Sequence, residues 1–93
     1  MEVKHQSDGR KGSFYMDEDG KKLAEMVYVM AGSEKMIIEH TEVGESLKGQ
    51  GIGMQLLEAL VEEVRVTHIR VLPLCPFAKA SFQKRPDLQD VLV

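Results

Sequence analysis

A cluster of three glycines in the middle of the chain is the clearest candidate for a binding site. The stretch reads Lys48-Gly49-Gln50-Gly51-Ile52-Gly53, and it lies between a predicted strand at residues 36–43 and a predicted helix at residues 50–65. Glycine loses the most backbone freedom on ordering, so three of them at a helix start indicate that another group closely approaches the backbone. Exposed N–H groups at a helix N-terminus suit a phosphate. The pattern predicts a phosphate-binding turn; a merely tight turn is the alternative.

Two well-known phosphate loops do not fit this stretch. A P-loop requires Gly-Lys-Ser/Thr, which the chain lacks, and a dinucleotide fingerprint would need its third glycine at Met54 or Leu56. What remains is a basic residue followed by x-x-G-x-G. This resembles the pyrophosphate loop of the GNAT acyltransferase superfamily, Q/R-x-x-G-x-G/A, with Lys48 in place of Gln or Arg. The resemblance implies that residues 48–53 bind coenzyme A or acetyl-CoA.

Length and composition limit the number of domains and the kinds of partner. A chain of 93 residues is the size of one small domain. Its net charge of −3, from 12 basic and 15 acidic residues, argues against nucleic acid or an anionic membrane as partner. The single cysteine, Cys75, permits no internal disulfide, and the start of the chain lacks the apolar run of a signal peptide. We therefore expect a soluble, cytoplasmic protein.

The elements around the glycines follow a recognisable order. Strands are predicted at residues 3–6, 10–16, 23–30 and 36–43, separated by turn residues, which indicates an antiparallel meander. Apolar residues then recur at helical spacing, and they are Ile52, Leu56, Leu57, Leu60, Val61 and Val64. A fifth strand at residues 67–72 completes a βαβ crossover, which makes the last two strands parallel neighbours. A helix at Pro76–Lys84 and one further turn at residues 87–92 end the chain.

This order predicts an α+β protein with a mixed sheet, and it matches the GNAT fold over about residues 36–85. The two helices that the family usually places after its first strand have no room here, because only a turn separates those segments. The chain is therefore similar to a minimal, short branch that carries Cys75-Pro76-Phe77 after the fifth strand. The chain is expected to be a monomer or a weak homodimer. One face of the sheet is accordingly expected to be open or to be covered by a second copy of the chain.

The resemblance also implies where the acyl donor and the acceptor meet. The parallel strands splay apart in this fold, and the pantetheine arm enters the gap, bonding to backbone groups near Thr41 and Val43. The implied reaction moves an acetyl group to a primary amine of a small molecule or a protein. Nothing in the sequence identifies that acceptor.

A general base is needed because an amine is protonated at neutral pH. His40 is our candidate, since a group that titrates near neutrality suits this task; a purely structural histidine is the alternative. Strand alternation places His40 on one face with Ile38 and Glu42. Glu39 and Glu42 are rival bases.

Cys75 is the second catalytic candidate. It precedes Pro76, a residue favoured at the first position of a helix, so its sulfur should cap a helix N-terminus, where a thiolate is favoured. A small buried hydrophobe is the alternative. The segment from Cys75 to Lys84 resembles the family motif N-x-x-A-x-x-F-Y-x-K. Cys75 stands in place of the Asn that contacts pantetheine, Ala78 matches the Ala, and Phe82 replaces the Tyr that protonates the leaving thiolate. An accessible, reactive Cys75 is therefore expected to take up that role or to accept the acyl group.

Other titratable residues give weaker signals. His5 and His68 have no partners at metal-ligand spacing, so no metal is expected. Lys79, Lys84 and Arg85 form a basic cluster, which is either a solvated face or a contact for the adenosine phosphate. The leading hypothesis is an acetyl-CoA-dependent N-acetyltransferase. A non-catalytic CoA-binding module and a structural adaptor that keeps only the fold are the alternatives.

Overall fold

One mixed sheet organises the computed structural model, which describes residues 2–93. Its strands are β1 Lys4–Ser7, β2 Lys11–Glu18, β3 Lys21–Met30, β4 Lys35–Val43 and β5 Arg70–Pro73. They lie side by side in chain order, antiparallel from β1 to β4 and parallel between β4 and β5. The predicted meander and the βαβ crossover are both confirmed.

A two-residue turn joins β2 and β3. Asp19 and Gly20 are its two loop residues, and both have positive φ, 51° and 80°. Two-residue loops of this kind match the twist of the flanking strands, and Asp-Gly is a favoured sequence for them. The turn fixes the pairs next to the loop, Glu18 with Lys21 and Asp17 with Lys22. Beyond them Leu23 is an extra residue of β3, so that Met16 pairs with Ala24.

All helical elements pack on the same face of the sheet. They are α1 Ile52–Thr67, α2 Pro76–Lys84 and two 3₁₀ segments, Glu45–Leu47 and Pro86–Val91. The apolar stripe of α1 is buried as predicted, against core residues of β2, β3 and β4. The first residues of α2 contact the start of α1 and the end of β4. Within residues 2–93 no element covers the other face, which we call the open face; it was expected to be open or covered by a second copy.

The end of α1 differs from the prediction. The helix runs to Thr67, and β5 begins only at Arg70, three residues later than expected. His68 ends the helix in the left-handed conformation, with φ 61° and its N–H bonded to the carbonyl of Val64. Glycine is the usual residue at such a position, so its absence concealed the helix end in the sequence.

The edge strand β1 adds an aromatic contact to the core. The His5 ring stacks on Phe14, with 4.1 Å between centroids, and its Nε2 lies 2.5 Å from the Tyr28 hydroxyl. His5 therefore packs against core aromatic side chains on the helix face. None of the helices in residues 2–93 has the length and apolar character to cross a bilayer.

Candidate functional site

The glycine turn presents free backbone donors at the start of α1. Gly49 and Gly51 have φ of 80° and 73°, which glycine adopts at little cost. The first helical hydrogen bond runs from Gln55 N–H to the Gly51 carbonyl, so the N–H groups of Ile52, Gly53 and Met54 precede the ladder. The first turn carries no acidic residue, and a Cβ on Gly49 or Gly51 would have no neighbour within 4 Å. The turn therefore has both the donors and the room for a pyrophosphate.

Gly53 differs from the other two glycines because a side chain of α2 lies against it. A Cβ at this position would lie 2.5 Å from the Phe77 ring, which packs across the first turn of α1. The close approach expected at the glycines thus comes, at Gly53, from α2 of the same chain. Phe77 was not predicted as part of the site, although its place in the Cys-Pro-Phe segment was the available signal.

The polar side chains of the turn are engaged within the loop. Lys48 Nζ lies 2.8 Å from Glu45 Oε1, and the Gln50 side-chain amide donates to the Ser46 carbonyl at 3.2 Å. Ile52 points its side chain into the core. Contact of Lys48 and Gln50 with a phosphate stays a prediction.

The predicted basic cluster on α2 is smaller than expected. Arg85 binds Asp87 at 2.8 Å and Glu58 at 2.9 Å. The hydrogen bonds that Arg85 donates, to Asp87 first and to Glu58 second, raise the pKa of Arg85. Arg85 therefore ties α2 to α1. Lys79 and Lys84 are the members of the cluster that form no ion pair with residues 2–93.

A gap opens between the two parallel strands. Their pairing ends at Ile38 and Pro73, and the N–H groups of Leu74 and Cys75 both donate to the Ile38 carbonyl, at 3.0 and 3.1 Å. β4 continues to Val43 without a partner on that side within residues 2–93. This gap is the expected splay of the parallel strands.

The unpaired edge of β4 faces this gap. The N–H of Gly44 donates to the Leu23 carbonyl of β3 at 2.7 Å. Because backbone groups alternate in direction along a strand, those of Thr41 and Val43 point away from β3 and into the gap. An extended chain entering the gap would find donors and acceptors there, at the two residues predicted to bind pantetheine.

A bulge in β4 changes the side on which His40 lies. Ile38 pairs with Tyr28 and His40 with Val27, so Glu39 is an extra residue. His40 therefore lies on the open face, and Ile38 lies in the core on the helix face. The prediction that these two share a face was wrong, because simple alternation does not anticipate a bulge.

His40 and Glu42 share a face, as predicted, and their side chains form a pair. His40 Nε2 lies 3.0 Å from Glu42 Oε1, on a side chain that is 55% exposed. Thr41 points to the opposite side, because its strand partner Met26 is in the core. Solvent can reach His40 from the open face of the sheet.

Cys75 caps α2 as predicted, but it is not accessible. Pro76 follows at the first helical position, and the Cys75 sulfur accepts the Ala78 N–H at 3.3 Å and lies 3.3 Å from the Thr41 hydroxyl. Only 3% of the residue is exposed, so the expected accessible thiol was wrong. Thr41 and the first turn of α2 enclose the sulfur next to the gap.

Two further predicted contacts lie in the core. Ala78 and Phe82 are almost fully buried and pack α2 against the sheet. Direct contact of either side chain with a cofactor would require α2 to shift. Leu74, by contrast, is 60% exposed beside the gap, and no sequence signal distinguished it from an ordinary strand residue.

The predicted site residues thus fall into three neighbouring groups. The helix face holds the glycine turn and Cys75, the gap holds the polar edge of β4, and the open face holds His40. A meander followed by a βαβ crossover, with parallel strands that part beside a glycine turn, defines the GNAT fold class.

Comparisons with known proteins agree with this fold. A family model described as GCN5-related N-acetyl-transferase matches residues 13–91. A GCN5-like protein of Staphylococcus aureus, solved by NMR, is 35% identical with a TM-score of 0.75, over 99% of this chain and 87% of that one. No curated protein sequence matches. The chain therefore belongs to the GCN5-related N-acetyltransferase family.

More distant structures share the fold at about half of their own length. The ribosomal-protein-S18-alanine N-acetyltransferase of Escherichia coli is 20% identical with a TM-score of 0.66, over 85% of this chain and 53% of that one. A GNAT family acetyltransferase of Elizabethkingia anophelis with acetyl-CoA bound is 15% identical with a TM-score of 0.62, over 83% and 53%.

Proposed function

We propose that this chain transfers an acetyl group from acetyl-CoA to a primary amine. The observation that carries the proposal is the unpaired edge of β4, which faces a gap in the sheet and leads directly to the free N–H groups of α1. A pantetheine arm carries amide groups that can hydrogen-bond as those of an extended peptide do, so it suits an edge of this kind. A pyrophosphate suits the helix start.

The residues present fit coenzyme A. The N–H groups from Gly51 to Met54 would hold the pyrophosphate, and the backbone of Thr41 and Val43 would hold pantetheine. Room for the phosphates exists because Gly49 and Gly51 carry no Cβ. When bound, acetyl-CoA supplies an acyl thioester, whose carbonyl carbon is open to attack by an amine.

The residues of this chain would manage two protons during the transfer. His40 would take one proton from the amine, and Glu42, 3.0 Å away, would stabilise the imidazolium that results. The acetyl carbon exchanges its bond to sulfur for a bond to nitrogen. The nitrogen of a protonated amine loses two protons in all, so the one that His40 does not take would leave to solvent after the C–N bond forms. The departing sulfur needs one proton, which solvent would supply, either directly or through the Cys75 thiol, since Phe82 has no hydroxyl.

A matched pair of variants at Gly51 tests cofactor binding. Gly51→Glu and Gly51→Gln both carry the cost of a side chain at positive φ, about 1–2 kcal/mol, and they differ in charge alone. We expect Gly51→Glu to bind CoA at least about fivefold more weakly than Gly51→Gln, because a carboxylate near the pyrophosphate costs about 1–3 kcal/mol. Calorimetric titration with CoA measures this, and circular dichroism confirms that both variants fold. Equal affinities would contradict the proposed phosphate site.

A non-catalytic CoA-binding module is the second candidate. Two observations favour it: Phe82 cannot donate a proton, and the Cys75 sulfur is enclosed. Turnover with a panel of amines, followed through release of free thiol, separates the two candidates. A module would bind CoA and release no thiol with any amine.

A further inference from the structure

A straight row of side chains crosses four strands on the open face. Gln6 of β1 pairs with Ser13 of β2, Ser13 pairs with Val27 of β3, and Val27 pairs with His40 of β4. Residues that pair directly lie on the same face of a sheet, so these four form one line across the strands. At about 4.8 Å between strands, the line is about 14 Å long.

Ser13, in the middle of this row, has an unpartnered hydroxyl. The residue is 3% exposed, and its Oγ has no hydrogen-bond partner within residues 2–93. Buried polar groups in folded proteins are normally paired, so an unpaired one on the floor of a cavity indicates a missing partner. Glu25 lies on the same face, and an interaction of its carboxylate with the Ser13 side chain contributes to holding the pKa of Glu25 low.

The row forms the floor of a trough of about 710 Å³ with an acidic lining. Asp8, Glu25 and Glu39 contribute carboxylates, and Lys11 contributes an ammonium. A second ammonium, that of Lys22, lies 2.7 Å from Glu25 Oε2 and leaves Oε1 for a ligand. Burial disfavours the charged form of Glu25, but hydrogen bonds, with Lys22 foremost, hold the pKa of Glu25 below its ordinary value. Backbone N–H groups of Lys11 and Arg10 lower the pKa of Asp8. These two carboxylates are therefore ionised at neutral pH and favour a cation.

The trough ends where the acyl group would be presented. His40 forms one end of the row, on the strand that borders the gap, and Gln6 forms the other end at the sheet edge. A ligand along the row would place one nitrogen at His40 and a second polar group over Ser13 or beyond. The trough is open to solvent, so a flexible linear molecule can enter it from the side.

We propose that the acceptor is a linear amine with a second cationic nitrogen, bound along the row from His40 towards Gln6. The reacting nitrogen lies at His40, and the second nitrogen donates to the Ser13 hydroxyl and to the Glu25 carboxylate. This inference rests on the proposed function, because it names the acceptor class of the same site. It adds Ser13, Gln6 and Glu25 as residues that select the substrate.

The test is a titration of the ¹⁵N-labelled protein, without CoA, with the linear triamine spermidine and with n-butylamine. We expect shifts at the amides of Ser13, Val27 and His40, and at least tenfold tighter binding of spermidine. Gln6→Lys should weaken spermidine binding at least fivefold. Val66→Lys adds the same charge at a 75% exposed position on α1 and should leave binding unchanged. Ser13→Ala should weaken binding severalfold, because it removes the hydroxyl proposed to contact the second nitrogen, and thermal denaturation confirms that the variant folds.

Four outcomes would overturn the inference, one of them measured with a lysine peptide in place of spermidine. Chemical shift changes confined to the helix face would exclude binding of the amine along the row. Equal effects of Gln6→Lys and Val66→Lys would exclude it as well. Binding of a lysine peptide but not of spermidine would assign the trough to a protein acceptor. Shifts in the row that depend on protein concentration without amine would mean that a second copy covers it. CoA affinity is measured separately with the Gly51 variants, so failure here does not touch the cofactor site.

Discussion

His40 and Cys75, the two predicted catalytic side chains, lie on opposite faces of the sheet. His40 is exposed beside Glu42, and Cys75 is enclosed by Thr41 and the first turn of α2. In the proposed mechanism, the base and the thiol would therefore act from different sides of the sheet.

The role of His40 can be separated from its surroundings by kinetics. In His40→Ala we expect kcat to fall about 10²–10⁴-fold, the usual contribution of a general base, with CoA affinity unchanged. Thiol release with the best amine of the panel measures the first quantity, and calorimetry measures the second. Glu42→Gln is the matched control, because it keeps the shape of the partner and removes its charge; a smaller loss is expected. Full activity in His40→Ala would move the base to Glu39 or Glu42.

At the scale of the elements, the contact between α1 and α2 holds the glycine turn in place. Phe77 packs against the bare backbone of Gly53, so the starts of the two helices are fitted to one another. Arg85 ties the same two helices further along through Glu58. The N–H groups proposed to bind the pyrophosphate are therefore positioned by α2 as well as by α1.

A double-mutant cycle tests this contact. In an open helix, Gly→Ala stabilises by about 1 kcal/mol. We expect Gly53→Ala to destabilise the wild-type chain, because its Cβ would lie 2.5 Å from the Phe77 ring. In the Phe77→Ala background the same change should become stabilising. Urea denaturation gives the four unfolding free energies, and the same sign in both backgrounds would mean that the ring moves aside freely.

At the scale of the whole molecule, ion pairs fasten the C-terminal segment to α1. Arg65 of α1 binds Asp90 through two hydrogen bonds, Nη2 to Oδ1 at 2.6 Å and Nε to Oδ2 at 3.0 Å. Arg85 binds Asp87 in the same forked manner, at 2.9 and 2.8 Å. These hydrogen bonds lower the pKa of Asp90 and of Asp87 below the ordinary aspartate value.

These shifts predict a loss of stability in acid. A carboxyl whose pKa is lower in the folded state stabilises the fold above its unfolded value of 3.8, and this stabilisation is lost as pH falls through the lower folded value. We expect the unfolding free energy to fall below about pH 4, and the fall to be shallower in Asp90→Asn. Glu18→Gln, an exposed change away from these pairs, is the control. Identical slopes for Asp90→Asn and wild type, from urea denaturation at pH 5 to 2.5, would contradict the prediction.

Much of the architecture could be predicted from residues close together in the chain. The Asp19-Gly20 hairpin, the apolar stripe of α1 and the cap before Pro76 all depend on short-range sterics and hydrogen bonds, and each appears where expected. The glycine turn belongs with them, because positive φ at Gly49 and Gly51 is a local property. The resemblance of this turn to the GNAT loop predicted the family, and the comparisons confirm it.

Other features were decided by contacts between distant segments. The bulge at Glu39 depends on how β4 pairs with β3, and it decides that His40 lies on the open face. The burial of Cys75 depends on Thr41, and the need for Gly53 depends on Phe77. Alternation, capping and turn preferences describe neighbours in the chain, whereas strand register and helix packing bring together residues that are far apart in it. The sequence alone therefore determined the elements and the turn, and only the tertiary structure decided which face of the sheet each candidate residue occupies.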